Sequence, residues 1–227
     1  MSIEENLRHI HERMARAAQR AGRSPDEVAL VAVSKFQPVE AIEAAYRAGQ
    51  RLFGENYAQE LRDKAAALAH LDGLRFHFIG RLQKNKARYV AASAEAMESL
   101  DDLTLADELN RRALALGRQL GVLVEINFDE SQKGGIALAH LPDFLAGLAR
   151  LPALRAEGLM AIPPAGLSAD DSRAVFRELS SAARRSGLKQ LSMGMSGDYE
   201  LAIEEGATIV RVGTAVFGPR PGAGAAA

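Results

Sequence analysis

The chain has 227 residues, of which 48% are hydrophobic, so it is long enough to bury one large core. Its 28 basic and 29 acidic side chains nearly cancel, which gives no electrostatic reason to expect nucleic acid or an anionic membrane as a partner. The absence of cysteine excludes disulfides, thiolate metal sites and cysteine nucleophiles. No apolar run is long enough to span a bilayer, and the polar N-terminus is unlike a signal peptide, so we expect a cytoplasmic protein.

The N-terminal segment, residues 2–21, is predicted to form an amphipathic helix. Apolar side chains recur there at helical spacing, as Ile3, Leu7, Ile10 and Met14 illustrate. Because this helix precedes the first strand, we expect it to pack on the outside of the domain.

Short apolar runs then alternate with helical segments along the rest of the chain. The predicted strands are residues 28–34, 51–54, 75–79, 96–100, 122–126, 156–160, 190–191 and 208–212. The predicted helices are residues 39–48, 58–70, 82–91, 103–116, 138–150, 169–186 and 197–204.

Eight strands that alternate with helices indicate an α/β fold with a parallel sheet, and eight is the number that closes a (β/α)8 TIM barrel. A doubly wound open sheet is the alternative, but the Gly-rich turn that such folds place after the first strand is missing. We therefore predict a single barrel domain over residues 1–220 with an extra N-terminal helix. Residues 221–227, rich in Gly and Ala, are predicted to be a flexible tail.

Lys35 is the first long polar side chain after the apolar run 28–34. The C-terminal ends of barrel strands carry the active sites of this fold, and burial there opposes the charge of a lysine. Lys35 is therefore a candidate for Schiff-base chemistry, although a lysine can also simply extend from a strand end into water. Lys133, in a Gly-rich stretch after the fifth strand, is the rival lysine.

The loops after the seventh and eighth strands are the common phosphate site of TIM barrels. Ser196 and Gly197 precede a predicted helix, whose first amides are unpaired, and Gly213 and Thr214 offer open backbone and a hydroxyl donor. A helix cap at Ser196 and an ordinary tight turn at Gly213 are the alternatives. A lysine and a phosphate cradle on one face suit either a phosphorylated sugar, as in an aldolase, or pyridoxal 5′-phosphate (PLP).

Six stretches of the chain resemble the PLP homeostasis proteins, which are single-domain relatives of the alanine racemase barrel. These stretches are VSK at 33–35, FGENYAQE at 53–60, HFIGRLQKNK at 77–86, GLM at 158–160, LSMGMSGD at 191–198 and RVGTAVFG at 211–218. They run from the first strand to the last, and residues 77–86 and 192–198 are the most specific.

The resemblance implies a role for each matching position. Lys35 would hold PLP as a Schiff base, and Ser196, Gly197, Gly213 and Thr214 would hold its phosphate. Arg211 would face the pyridine nitrogen, Asn56 would lie near the ring, and Met193 and His77 would help to line the pocket. The residues themselves leave alternatives. His77 could be a general base but is more typical of a hydrogen-bonded core histidine, and Arg211 could instead form an ion pair inside the barrel.

Three functions remain open at this point. The first is a carrier without strong catalytic activity, which holds PLP and acts in its intracellular homeostasis or delivery to PLP-dependent apoenzymes, as a monomer. The second is a PLP-dependent amino-acid racemase; the resemblance implies that racemases of this fold take a second acid/base from an added domain, which we expect this chain to lack. The third is an aldolase that uses Lys35 directly. The basic run from Arg81 to Arg88 is expected to serve solubility rather than RNA binding, and no spacing suggests a metal site.

Overall fold

The computed structural model describes residues 1–129 and 134–218 and contains a closed barrel of eight parallel strands in chain order. This architecture confirms the predicted (β/α)8 TIM barrel. The strands are β1 Ala29–Val33, β2 Leu52–Glu55, β3 Arg75–Phe78, β4 Ala96–Leu100, β5 Leu120–Glu125, β6 Leu154–Met160, β7 Gln190–Ser192 and β8 Ile209–Val212. The predicted tail, residues 221–227, lies outside the described residues.

Helices connect the strands and cover the outside of the barrel. They are α1 Ile3–Arg20, α2 Val39–Arg47, α3 Ala58–Ala67, α4 Ala87–Ser93, α5 Leu103–Ala115, α6 Leu141–Leu148, α7 Ala169–Arg185, α8 Tyr199–Glu204 and α9 Thr214–Phe217. The predicted N-terminal helix is α1, which starts at a capping box between Ser2 and Glu5 and packs against α8 and α9.

Three predicted helices differ from the structure in how they begin. Two of them open with a short 3-10 turn, Lys84–Lys86 before α4 and Leu138–His140 before α6. The third, α8, starts two residues later than predicted, because the Asp198 carboxylate accepts a hydrogen bond from the Met195 amide and closes a turn ahead of it. The short helix α9 was not predicted, since four residues are too few to show a helical period.

The hydrophobic core has two parts. The larger one fills the layer between the barrel and its helices, and it includes the fully buried rings of Phe53, Phe78 and Phe176. A small cluster inside the barrel consists of Val31, Leu52, Leu123, Met160 and Ile209.

Closure of the barrel depends on the pairing of β1 with β8, in which Ala32 lies opposite Val212. Parallel strands point the same way, so every strand ends at one rim of the barrel. The polar residues that follow the strands are therefore gathered there.

Candidate functional site

Lys35 lies at the strand-end rim, half-buried, two residues after the end of β1. It occupies the second position of a tight turn that is closed by a hydrogen bond from the Gln37 amide to the Ser34 carbonyl, at 3.0 Å. Phe36 is the third residue of this turn and has a φ of 63°, in the left-handed region that favours glycine. The rival Lys133 lies outside the described residues.

The loop between β7 and α8 presents Ser196 and Gly197 to solvent. A hydrogen bond of 2.6 Å from the Met195 amide to the Asp198 carboxylate holds this loop. Within residues 1–129 and 134–218, no acceptor bonds the backbone amides of Ser196 and Gly197. Two adjacent free donors are suited to bind an anion.

Gly213 and Thr214 follow β8 beside the end of β1. A Cβ atom at Gly213 would lie 3.3 Å from the Cβ of Val33, so a side chain there would crowd the neighbouring strand. Thr214 is exposed and begins α9. The structure thus brings the Gly213–Thr214 loop next to the strand that carries Lys35, on the same rim.

Arg211 is buried inside the barrel and belongs to a polar network that crosses it. One terminal nitrogen of its guanidinium donates to the Ser192 hydroxyl, and the other donates to the Ala161 carbonyl at 3.1 Å. The Ser192 hydroxyl donates in turn to Glu98 Oε2 at 2.5 Å. Arg211 therefore has an acidic neighbour, with Nη1 only 3.8 Å from Glu98 Oε2.

His77 joins the same network from the other side, with its Nδ1 2.6 Å from Glu98 Oε1. Burial alone would raise the pKa of Glu98, but the hydrogen bond to His77 and the charges of His77 and Arg211 outweigh it and lower that pKa. His77 is 6% exposed, which is the setting of a hydrogen-bonded core histidine. Its contact with a cofactor remains a prediction.

Asn56 follows β2 and is half-buried, and its Oδ1 atom is buried with no hydrogen-bond partner among the described residues. An orphaned buried acceptor of this kind indicates a missing donor, such as a ligand or water. Gly80, after β3, lies so close that a Cβ there would be 2.2 Å from the Asn56 carbonyl oxygen. Glycine at position 80 therefore allows the backbone of Asn56 to approach this strand end.

Met193 follows the last residue of β7 directly, is fully buried and belongs to the larger hydrophobic cluster. Its place in the lining of a cofactor pocket stays a prediction. A cavity of about 640 Å³ is lined in part by Arg75 and Gln119. Arg75 begins β3 and Gln119 directly precedes β5, so this cavity lies at the end of the barrel opposite to the rim that carries Lys35.

Three charged residues next to Lys35 were missed by the sequence analysis, although they lie near or within the quoted stretch 53–60. Glu55 is fully buried, Lys64 is 5% exposed, and the Lys64 ammonium lies 2.8 Å from Glu55 and 2.7 Å from Glu60. Burial raises the pKa of Glu55 to about 7, against the opposing charge of Lys64. The sequence signal that could have identified this cluster is Glu55 itself, an acidic residue at the end of the apolar strand β2.

Replacing Glu55 with glutamine is expected to change how stability depends on pH. A raised pKa in the folded state means that ionisation of Glu55 opposes folding. The stability contributed by the protonated Glu55 side chain is therefore complete below the unfolded-state pKa and is lost as pH rises toward 7. We expect the stability of the native chain relative to Glu55→Gln to fall by about 3 kcal/mol between pH 4 and pH 8. Denaturant unfolding of both proteins across this range measures it, and parallel pH profiles would contradict it.

The described residues offer an anionic ligand with a carbonyl group two free amides, a rim lysine and an orphaned amide oxygen. Among residues 1–129 and 134–218, no group of three or more His, Cys, Asp or Glu side chains could hold a metal ion. None of the described helices has the length and hydrophobicity needed to cross a membrane.

Comparison with known proteins agrees with this geometry. The family pattern of the alanine racemase N-terminal domain matches residues 6–221, so the chain belongs to that family of barrels. A PLP homeostasis protein of Escherichia coli K12 is 45% identical over 226 residues, which cover 96% of this chain and 97% of the relative. One from Aquifex aeolicus is 42% identical and covers 97% of this chain and 99% of the relative. The chain is a member of the PLP homeostasis proteins.

Solved structures show the same relationship. The structure of PipY from Synechococcus elongatus with PLP bound has a TM-score of 0.81 and 38% identity, covering 96% of this chain and all of that one. An alanine racemase of Streptomyces lavendulae has a TM-score of 0.71 at 20% identity, and the match covers 96% of this chain and 58% of that one. The second likeness concerns the fold alone.

Proposed function

We propose that this protein binds PLP through Lys35 and acts in intracellular PLP homeostasis or delivery, without strong catalytic activity. The observation that carries this proposal is the pairing of β1 with β8, which sets the lysine strand beside the Gly213–Thr214 loop on one rim. The kinship with PLP homeostasis proteins, and with a structure that contains PLP, supports it.

Different residues at the rim would bind different chemical groups of PLP. When bound, PLP supplies an aldehyde that condenses with a primary amine. Lys35 provides that amine. The phosphate would be held by the amides of Ser196 and Gly197, which no described acceptor bonds, together with Gly213 and the Thr214 hydroxyl.

Asn56, Arg211 and His77 would hold the ring. The Oδ1 atom of Asn56, which has no partner among the described residues, could accept a hydrogen bond from it. Arg211 would face the pyridine nitrogen, to which a guanidinium could only donate a hydrogen bond. A strong electron sink needs a protonated ring nitrogen, which an arginine disfavours, so this contact would keep catalysis weak.

Reconstitution with PLP tests the proposal directly. The protein is incubated with PLP, treated with borohydride and digested, and the modified lysine is located by mass spectrometry. We expect visible absorption before reduction and one modified residue, Lys35. Pyridoxal, which lacks the phosphate, serves as the matched control and should load far less, because the cradle has nothing to hold. A modified Lys133, or equal loading of both aldehydes, would contradict the assignment.

Amino-acid racemisation is the second candidate function, favoured by the match to the alanine racemase domain. Stereoinversion of alanine by the PLP-loaded protein tests it. Turnover at ordinary enzyme rates that is lost in Lys35→Ala would replace the carrier function with catalysis. We expect at most a trace of inversion.

The cellular setting is part of the proposal. We propose that the protein is a cytoplasmic monomer whose partners are PLP-dependent apoenzymes rather than nucleic acid or membranes. The near-neutral balance of 28 basic and 29 acidic side chains supports the absence of a polyanionic partner. Transfer of PLP from the loaded protein to an apoenzyme, faster than from free PLP at equal concentration, tests delivery.

A further inference from the structure

The turn that carries Lys35 has a backbone conformation that its own sequence disfavours. Phe36 has a φ of 63°, although a bulky side chain rarely adopts the left-handed region. Such a conformation persists only where surrounding contacts hold it in place. The contacts around residues 34–37 therefore fix the position of the Lys35 Cα atom and the direction in which its side chain leaves the backbone.

Three side chains from residues 55–64 hold this turn through hydrogen bonds to its backbone and to the Ser34 hydroxyl. The Lys64 ammonium donates to the Ser34 carbonyl at 2.6 Å, the same oxygen that accepts the turn-closing bond from Gln37. The Phe36 amide donates to Glu60 Oε1 at 2.7 Å. The Ser34 hydroxyl donates to Glu55 Oε1 at 2.6 Å. The turn is thus bonded on both sides of Lys35.

Lys64 connects these contacts into one unit. Its ammonium has three hydrogens, and they are matched by three acceptors: the Ser34 carbonyl, Glu55 and Glu60. Every donor of this amine is therefore engaged in a hydrogen bond within the cluster. A buried ion pair adds little net stability on average, so stability alone is a poor reason for this cluster.

We propose that Lys64 and Glu60 are positioning residues, which hold the Ser34–Gln37 turn so that Lys35 is presented to the carbonyl ligand of the rim. The inference rests on the proposed function for its ligand, but the anchoring itself is a property of the protein without cofactor. Glu60 acts through the Phe36 amide, and Lys64 acts through the Ser34 carbonyl and through Glu60.

A matched pair of variants at Glu60 separates this role from general stability. Glu60→Ala removes the acceptor of the Phe36 amide, whereas Glu60→Gln keeps an acceptor oxygen and loses only the charge. Two quantities are measured: hydrogen exchange of the Phe36 amide by NMR without cofactor, and the rate of PLP attachment at Lys35 by borohydride trapping. For Glu60→Ala we expect exchange to rise, and attachment to slow, by about tenfold or more.

Glu60→Gln should stay within about threefold of the native chain in both measurements. Exchange and attachment in Glu60→Ala equal to those of the native chain would overturn the proposal, as would equal losses in both variants. Lys64→Met provides a second test with the same two measurements, and the Glu60 pair decides if that variant does not fold. Failure of the native chain to form an adduct would refute the proposed function instead, and Phe36 exchange would still test the anchoring.

Discussion

Lys35→Ala is expected to abolish covalent capture of PLP completely while leaving the barrel folded. The substitution removes the only amine that the described strand ends place beside the Gly213–Thr214 loop. Lys35 lies half-buried in a surface turn, so its truncation leaves no large cavity in the core. Absorption after incubation with PLP, followed by borohydride and mass spectrometry, should give no modified residue.

Lys84→Ala is the matched control for this experiment. Lys84 is an exposed lysine in the turn before α4, and its removal should leave both the spectrum and the trapped adduct at native levels. Unfolding curves of the two variants should agree with the native curve within about 0.5 kcal/mol. A trapped adduct that persists in Lys35→Ala would show that another lysine binds PLP covalently, and it would contradict the assignment of the site to Lys35.

Glu98→Ala is expected to lower the free energy of unfolding by about 3–5 kcal/mol. Glu98 is fully buried, and it is the acidic partner of both His77 and Arg211. Its truncation removes the carboxylate that lies 3.8 Å from the buried Arg211 guanidinium, which costs far more than the pair itself contributes. In a thermal scan the melting temperature should fall by about 10 °C.

The effect of Glu98→Ala should also depend on pH. Because the folded-state pKa of Glu98 is lowered, the stability it contributes is present above the unfolded pKa and is lost as pH falls. The difference in the free energy of unfolding between the native protein and Glu98→Ala should therefore become smaller at acidic pH. Glu95→Ala, at an exposed ion pair just before the same strand, is the control and should cost no more than about 1 kcal/mol. Equal losses at both positions would mean that the network carries no special stability.

All eight strands are predictable from local sequence patterns. The run 96–100 agrees with β4 at both ends, and most other strand ends differ from the prediction by one or two residues. A barrel strand that is covered on both faces is a short apolar run bounded by turns, and this signal is readable without any distant contact. The same reasoning singled out Lys35, because position after a strand is a local property.

The contacts within the site were beyond reach of local patterns. Glu98 was part of a predicted strand but was assigned no role, although a carboxylate within a buried strand calls for a partner. Its partner Ser192 lies 94 residues away in the chain, and the pairing depends on which side chains point into the barrel. The alternatives for Arg211 could likewise be weighed only once Ser192, Ala161 and Glu98 were seen around it.

By itself, then, the sequence determined the barrel, its strand order and the rim on which Lys35 lies. These follow from hydrophobic periodicity and from the rule that parallel strands end together. Only the tertiary structure decided which charged groups meet inside and beneath that rim, including the link from Lys64 to the Lys35 turn, 30 residues away. Contacts of that kind depend on side-chain direction and distance after closure, which no local spacing of residues encodes.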